Sequence, residues 1–161
     1  MGITANPSRA KVTGRGVNQK ELVGLLVALR DAVLSKPLLD VGSTNTKIKT
    51  TNTLLFRVGA GVYTKAATDD IAVLSALGFT DTGVGQFCKL RVEIDADGTF
   101  TFTQGGVASA QVMAVPPPRV AGRATVGWIE IPASFVFGTT VVTTAMCIDG
   151  DPDLDTPALS A

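Results

Sequence analysis

The chain has 161 residues, of which 45% are hydrophobic and 17% are charged, and its formal net charge is zero. This composition excludes a disordered chain, and the apolar stretches are too short for a membrane-spanning helix. The charges are unevenly placed: residues 1–20 carry four basic side chains and no acid, whereas residues 149–161 carry four aspartates and no base. Four basic residues without interleaved aromatics do not indicate nucleic-acid binding. We therefore expect neither a nucleic-acid nor a membrane partner.

The stretch Met1–Val17 contains a proline and several glycines and shows no periodicity. We predict an extended arm that cannot hold itself in place, so it is either mobile or laid on a partner. A solvated terminus explains its basic charges as well as docking on an acidic protein surface does. The candidate contact residues of the arm are Ile3, Arg9, Lys11, Val12 and Arg15.

The stretch Asn18 to Lys36 has the pattern of one α-helix. Asn18 can cap its start, Glu21 follows at capping-box spacing, and Pro37 ends it. The helix is apolar over more than half its circumference, and one strip predicts contact with another copy or with the floor of the domain. That strip consists of Leu22, Leu25, Leu26, Leu29 and Val33. Arm and helix form an N-terminal region, residues 1–43, which we expect to serve attachment to a partner and oligomerisation.

After residue 43 the composition shifts to Thr, Val, Ile and Phe, with turn residues roughly every eight to twelve positions, as in a β-sandwich or a β-barrel. We predict a mainly β protein with a β-sandwich or jelly-roll-like domain over residues 44–148 and an acidic C-terminal tail over 149–161. Outside the central hairpin, the candidate strands are Thr46–Thr50, Thr53–Val58, Val62–Lys65, Ile71–Leu74, Val107–Val115, Ala124–Ile131, Phe135–Phe137 and Val141–Thr144.

The clearest pattern lies in Phe87–Thr103, where apolar and polar residues alternate strictly. A period of two indicates half-buried antiparallel strands. A three-residue loop sets Ile94 opposite Phe100 and Val92 opposite Phe102, whereas a two-residue loop would mix the faces. It also places Gly98 where such a loop needs a left-handed residue. One face holds Cys88, Leu90, Val92 and Ile94, and the other holds Lys89, Arg91, Glu93 and Asp95.

The chain contains no histidine, which removes the Ser-His-Asp and Cys-His arrangements and the commonest transition-metal ligand. Glu93 and Glu130 are a conceivable glycosidase pair, but both lie on polar strand faces, where solvated surface is the better explanation. The aspartates at 149, 151, 153 and 155 lack the glycine and glutamate of an EF-hand loop. Asp95 and Asp97 flank a turn, where aspartate is common. We expect no enzyme, no cofactor and no metal.

Three stretches resemble small β-domain proteins of tailed-bacteriophage virions, the head decoration, cement or head-fibre proteins. They are Thr51–Val73, the central hairpin, and Pro116–Ile131 continued by FVFGTT at Phe135–Thr140. The shared features are a Phe–turn–Tyr-Thr-Lys-Ala-Ala-Thr-Asp hairpin, a middle Asp-x-x-Gly hairpin and a Pro…Val-Gly strand leading to Gly-Thr-Thr. The resemblance spans Thr44 to Thr144, and the arm and helix before Gly42 match nothing in it.

The resemblance implies a non-enzymatic structural protein of a bacteriophage virion, made in the host cytoplasm. Such a protein binds the major capsid protein on the outer surface of the capsid and stabilises or decorates the head. It also implies a homo-oligomer, with a homotrimer as the expected state. Two other hypotheses stay open: a spike or fibre base whose β-domain binds host-surface receptors, and a tail or baseplate component. Copy number separates them, because a decoration protein should match the capsid lattice.

Overall fold

The computed structural model of the chain describes residues 31–71 and 78–150, together with the backbone of two short paired strands at residues 11–12 and 15–16. The protein is mainly β, as predicted, and its main sheet curls into a half-barrel. The described strands, in chain order, are β1 (Lys11–Val12), β2 (Arg15–Gly16), β3 (Ala32–Val33), β4 (Leu39–Val41), β5 (Ile48–Thr50), β6 (Leu54–Val58), β7 (Gly61–Lys65), β8 (Thr68–Ile71), β9 (Cys88–Asp95), β10 (Phe100–Gln104), β11 (Arg123–Ile131) and β12 (Cys147–Asp149).

The main sheet has the order β10-β9-β11-β3-β6-β7, with β12 paired to β11, and a smaller sheet has the order β4-β5-β8. The two sheets share one apolar core. Leu39, Ile48 and Ile71 enter it from the smaller sheet. From the main sheet come Phe56 and the apolar face of the central hairpin, among other residues. The buried apolar side chains of the two sheets therefore pack together.

The central hairpin has the predicted register. Phe100 pairs with Ile94 and Phe102 pairs with Val92 across β10 and β9. Gly98 has a φ of 77°, the left-handed conformation that the three-residue loop requires. The apolar face is buried as expected: Cys88, Leu90, Val92, Ile94 and Phe102 lie in the core, and Phe100 packs against it. Alternation and loop chemistry together therefore determined this part of the fold.

The second edge of β11 is divided between two strands. Thr125 pairs in parallel with Ala32 of β3, and from Gly127 onward β11 pairs antiparallel with β12. The pairing of β11 with β9 shifts register between Thr125 and Gly127, which marks a bulge at the point of division. A Cβ on Gly127 would lie 2.2 Å from the carbonyl oxygen of Ile148, so only glycine lets β12 approach this closely.

Several element predictions are wrong. Residues 31–36 are not helical, and β3 occupies Ala32–Val33, so the predicted helix does not reach Lys36. Its part at residues 18–30 lies outside the described residues. The three predicted strands that are not strands are Val107–Val115, Phe135–Phe137 and Val141–Thr144, which form loops, turns and the 3₁₀ helices Gln111–Met113 and Thr144–Met146. The backbone hydrogen bonds described for these segments form local turns, an isolated bridge or single contacts rather than a strand ladder.

The sheets also cross the predicted boundary between residues 43 and 44. β3 and β4 both precede it, and each pairs with a strand that follows it. Residues 31–43 therefore pack with the β-domain. At the other end, Asp149 belongs to β12 rather than to the predicted tail, and residues 151–161 lie outside the described ranges.

Candidate protein-contact surface

The most distinctive surface feature is the loop that follows β10, Gly105–Val115. No charged residue occurs between Asp97 and Arg119. The two ends of the loop lie close together, because a Cβ on Gly105 would lie 2.5 Å from the Val115 carbonyl oxygen. The Gly105 N–H also donates to the Lys89 carbonyl of β9 at 2.8 Å. A compact loop whose two ends meet in this way resembles an Ω-loop.

Internal hydrogen bonds hold this loop in one shape. Phe87 and Ala108 exchange both backbone hydrogen bonds at 2.8 Å. The 3₁₀ helix Gln111–Met113 follows, and the next residue, Ala114, is buried. The Phe87–Ala108 bridge also brings the turn that begins at Gly83 beside the loop. The loop is therefore a structured element that can present side chains in fixed positions.

The side chains that it presents are aliphatic and exposed. Val112 is 91% exposed, and Val84, at the tip of the neighbouring turn, is 93% exposed. Exposed aliphatic side chains on one structured loop and its neighbouring turn are a candidate protein contact. We call the set of Val84, Val107, Val112, Met113 and Val115 the apolar loop surface.

A buried polar anchor fixes the segment that follows the loop. Arg91 Nε donates to the Pro117 carbonyl at 2.6 Å, and Arg91 Nη1 donates to Thr125 Oγ1 at 3.1 Å. The Val120 N–H donates to Glu93 Oε1 at 3.0 Å. Arg91 and Glu93 are both fully buried, so the prediction that this face of β9 is solvated surface is wrong. The physical reason is that residues 117–120 lie over the face and replace water as its hydrogen-bond partner.

Glu93 sits in an unusual environment. Burial raises the pKa of its carboxyl, while the Val120 hydrogen bond and the nearby Arg91, Arg123 and Arg119 act in the opposite direction. Its Oε2 atom is buried without a hydrogen-bond partner in the described residues. The side chain of Thr101, directly opposite on β10, has a buried Oγ1 that is likewise unpartnered within these ranges. A carboxyl placed in this way holds residues 117–120 against the strand face.

The other predicted site residues fall in different places. Lys11, Val12 and Arg15 lie in the paired strands β1 and β2. Val33 lies in β3, where it pairs with Phe56, so its predicted place on a helix is wrong. It packs against the core of its own chain, which is one of the two contacts predicted for the strip. The remaining predicted contact residues lie outside the described ranges; they are Ile3, Arg9, Leu22, Leu25, Leu26 and Leu29.

The acidic residues have structural partners. Asp95 Oδ1 accepts from the N–H groups of Asp97 and Thr99, which closes the hairpin loop. Asp149 Oδ1 accepts from the Leu39 N–H at 2.7 Å and so ties β12 to β4. Glu130, the other member of the conceivable glycosidase pair, forms an ion pair with Lys89 at 3.0 Å. Within residues 31–71 and 78–150, no group of three or more His, Cys, Asp or Glu side chains is placed to hold a metal ion.

Sequence reasoning missed the apolar loop surface because Val107–Val115 looked like a strand. The signal that could have identified it is the absence of both charge and alternation over this stretch. Comparison with protein-family models, curated proteins and solved structures found no match to this chain. None of the described helical segments is long and apolar enough to cross a membrane.

Proposed function

We propose that this protein is a non-enzymatic structural protein of a bacteriophage virion that binds the outer surface of the capsid and stabilises or decorates the head. The observation that carries the proposal is the apolar loop surface, a structured and uncharged set of exposed aliphatic side chains. A protein that coats a shell needs such a preformed contact, because fixed side chains lose little conformational entropy on binding.

The sequence resemblance supports the same proposal. Two of the stretches that carry it form hairpins of the main sheet, β6–β7 and β9–β10, and Pro116–Ile131 supplies β11. The segment at Pro117–Val120 joins β11 to the apolar loop surface, so the motif residues support the loop. A jelly-roll-like arrangement of the two sheets is part of this proposal, and their shared core is what supports it.

Attachment is proposed to use two elements, the N-terminal arm and the apolar loop surface, on the major capsid protein. The basic residues of the arm would steer and orient the chain, because an exposed ion pair contributes only up to about 1 kcal/mol. The loop surface would supply apolar contact. Many copies acting on a repetitive lattice would then strengthen weak individual contacts. The homo-oligomer, expected as a trimer, belongs to the same proposal.

Binding to emptied phage heads tests these roles. The substitutions Val112→Asp and Met113→Asp place charges on side chains that make no core contact, so the fold should be retained while binding to the heads falls at least tenfold. A truncation beginning at Asn18 should reduce binding without unfolding the β-domain. Val112→Ala is the matched control and should bind nearly as the wild type does. If the variant with both Val112→Asp and Met113→Asp binds heads as the wild type does, the apolar loop surface is not an attachment site. If the truncated chain binds as the wild type does, the arm is not an attachment site.

A further inference from the structure

Within residues 31–71 and 78–150, the outward-facing backbone groups of the edge strand β7 have no strand partner. The Leu55 carbonyl of β6 accepts from the Leu34 N–H at 2.7 Å, and the Leu55 N–H donates to Ser35 Oγ at 2.8 Å. Both backbone groups of Leu55 therefore point away from β7. Thr64 lies directly opposite Leu55, so in an antiparallel ladder its N–H and carbonyl point outward, away from β6. Val62, two residues earlier, has the same orientation.

The middle of this edge, Val62–Thr64, lacks the features that usually prevent pairing with another chain. Such features are proline, a bulge, or charged side chains along the strand. β7 has no proline, its register with β6 runs without a shift, and its outer-face side chains, Val62 and Thr64, are uncharged. Its one charge, Lys65, packs beside Gly98 at the end of the strand. Within the described ranges, β7 pairs with β6 alone.

The opposite edge of the main sheet, β10, is partly covered by another segment of the chain. Gln104 of β10 donates from Nε2 to the Thr80 carbonyl at 2.7 Å and accepts from the Thr80 N–H at 2.9 Å. A side-chain amide thus holds another part of the chain beside the end of β10. Among the described strands, β7 is therefore the edge of the main sheet that is left open for pairing.

Exposed aliphatic side chains adjoin this open edge. Val62 is 59% exposed, and Leu55 of β6 and Leu34, which directly follows β3, are exposed as well. The register places Leu34 beside Leu55 and Leu55 beside Thr64, so all four side chains belong to one outer face. An open edge beside an apolar face favours a partner strand that covers both.

We infer that β7 pairs antiparallel with β7 of a second copy of this chain, about a two-fold axis at Tyr63. In this register Val62 and Thr64 exchange backbone hydrogen bonds with Thr64 and Val62 of the second copy. A two-fold contact requires a surface complementary to itself, and an uncharged outer face meets that requirement. The register also keeps the two copies of Arg57 in different cross-strand rows, so like charges do not oppose each other.

The inner face agrees with this register. Tyr63 stacks on Phe56 with ring centroids 5.7 Å apart and is only half-buried. On the two-fold axis, Tyr63 of each copy becomes a direct cross-strand neighbour of the other, and aromatic cross-strand pairs stabilise antiparallel sheets. The contact does not depend on capsid attachment. It fits a dimer, or a hexamer in which three such pairs join two trimers.

A proline substitution tests the pairing. Thr64→Pro removes an N–H that points outward, which an edge strand tolerates, so the chain should keep its fold but lose the two-fold contact. Thr64→Val keeps the N–H and is the matched control. Analytical ultracentrifugation of the full chain should show an even-numbered assembly for wild type and T64V, and half that number of chains for T64P. A monomeric or trimeric wild type, or a folded T64P variant that assembles like the wild type, would overturn the inference.

Disulfide trapping gives a readout that does not depend on whether T64P folds. In a Cys147→Ser background, Tyr63→Cys places two thiols directly opposite each other across the axis, whereas Val62→Cys places each thiol opposite a threonine. Mild oxidation should therefore convert at least tenfold more Y63C than V62C to a covalent dimer on a non-reducing gel. Equal or weaker trapping of Y63C would contradict the register.

Discussion

The Val120 N–H donates to Glu93 Oε1 at 3.0 Å, and this hydrogen bond fastens the segment after the apolar loop surface to the centre of the main sheet. Glu93 thereby loses its hydration, and burial raises the pKa of its carboxyl above the ordinary value of 4.5. The folded state consequently holds the proton more tightly than the unfolded state does. The stability that the protonated carboxyl contributes is lost as pH rises from the unfolded-state pKa through the raised folded-state pKa.

The substitution Glu93→Gln should remove this loss, because an amide keeps an acceptor for the Val120 N–H without a charge. The difference in unfolding free energy, E93Q minus wild type, should increase as pH rises from the unfolded-state pKa through the folded-state pKa. Urea denaturation between about pH 4 and about pH 8 measures it. Taking the difference cancels the opposite contribution of Asp40, Asp69 and Asp70, whose pKa values are lowered by hydrogen bonds to Thr144, Ser43 and Thr44. A difference independent of pH would contradict the assignment.

The hydrogen bond itself can be tested with Glu93→Ala. This variant leaves the Val120 N–H without its acceptor and opens a cavity beside Arg91, so the loss of stability should be about 1–3 kcal/mol. Hydrogen exchange should show faster exchange of the Val120 amide in E93A but not in E93Q. Equal exchange in both variants would mean that the carboxyl does not hold the segment.

Sequence reasoning succeeded where local rules decide the structure and failed where tertiary packing does. The register of β9 and β10 followed from alternation and from one glycine at residue 98. Arg91 and Glu93 looked solvated because alternation shows that a face is polar but cannot show that a distant segment, residues 117–120, covers it. Val33 fits a helical strip equally well, yet pairing with Phe56 in β6 draws it into a sheet. The apolar loop surface was not predicted because Val107–Val115 has the composition of a strand but forms only an isolated bridge and turns.

The close approach of β12 to β11 makes Gly127 sensitive to any side chain. In Gly127→Ala the new methyl group would meet the Ile148 carbonyl and a methyl of Leu39, which lies 2.5 Å from the Cβ position. Overpacking of this kind should cost about 1–3 kcal/mol. Gly106→Ala is the control, because no atom lies within 4 Å of its Cβ position. Thermal unfolding that ranks the two variants equally would show that β12 can move away freely.

The shared core should depend strongly on Phe102, which lies in β10 and is buried opposite Val92. Phe102→Ala removes a ring from a core that both sheets enclose, so it should cost about 3–5 kcal/mol when the site cannot collapse. Val112→Ala, at an exposed position, should change stability by no more than about 0.5 kcal/mol. Chemical denaturation of both variants checks the contrast, and a small effect of F102A would indicate a core that repacks readily.

The most direct test of the proposed function is the amount of this protein in purified virions, measured on a gel against the major capsid protein. A decoration protein should appear in a fixed ratio that matches the symmetry of the capsid lattice, and heads lacking it should rupture more readily on heating. Absence from purified virions would contradict the proposal outright. A few copies per particle, together with an effect on adsorption to the host, would identify a receptor-binding spike or fibre base instead.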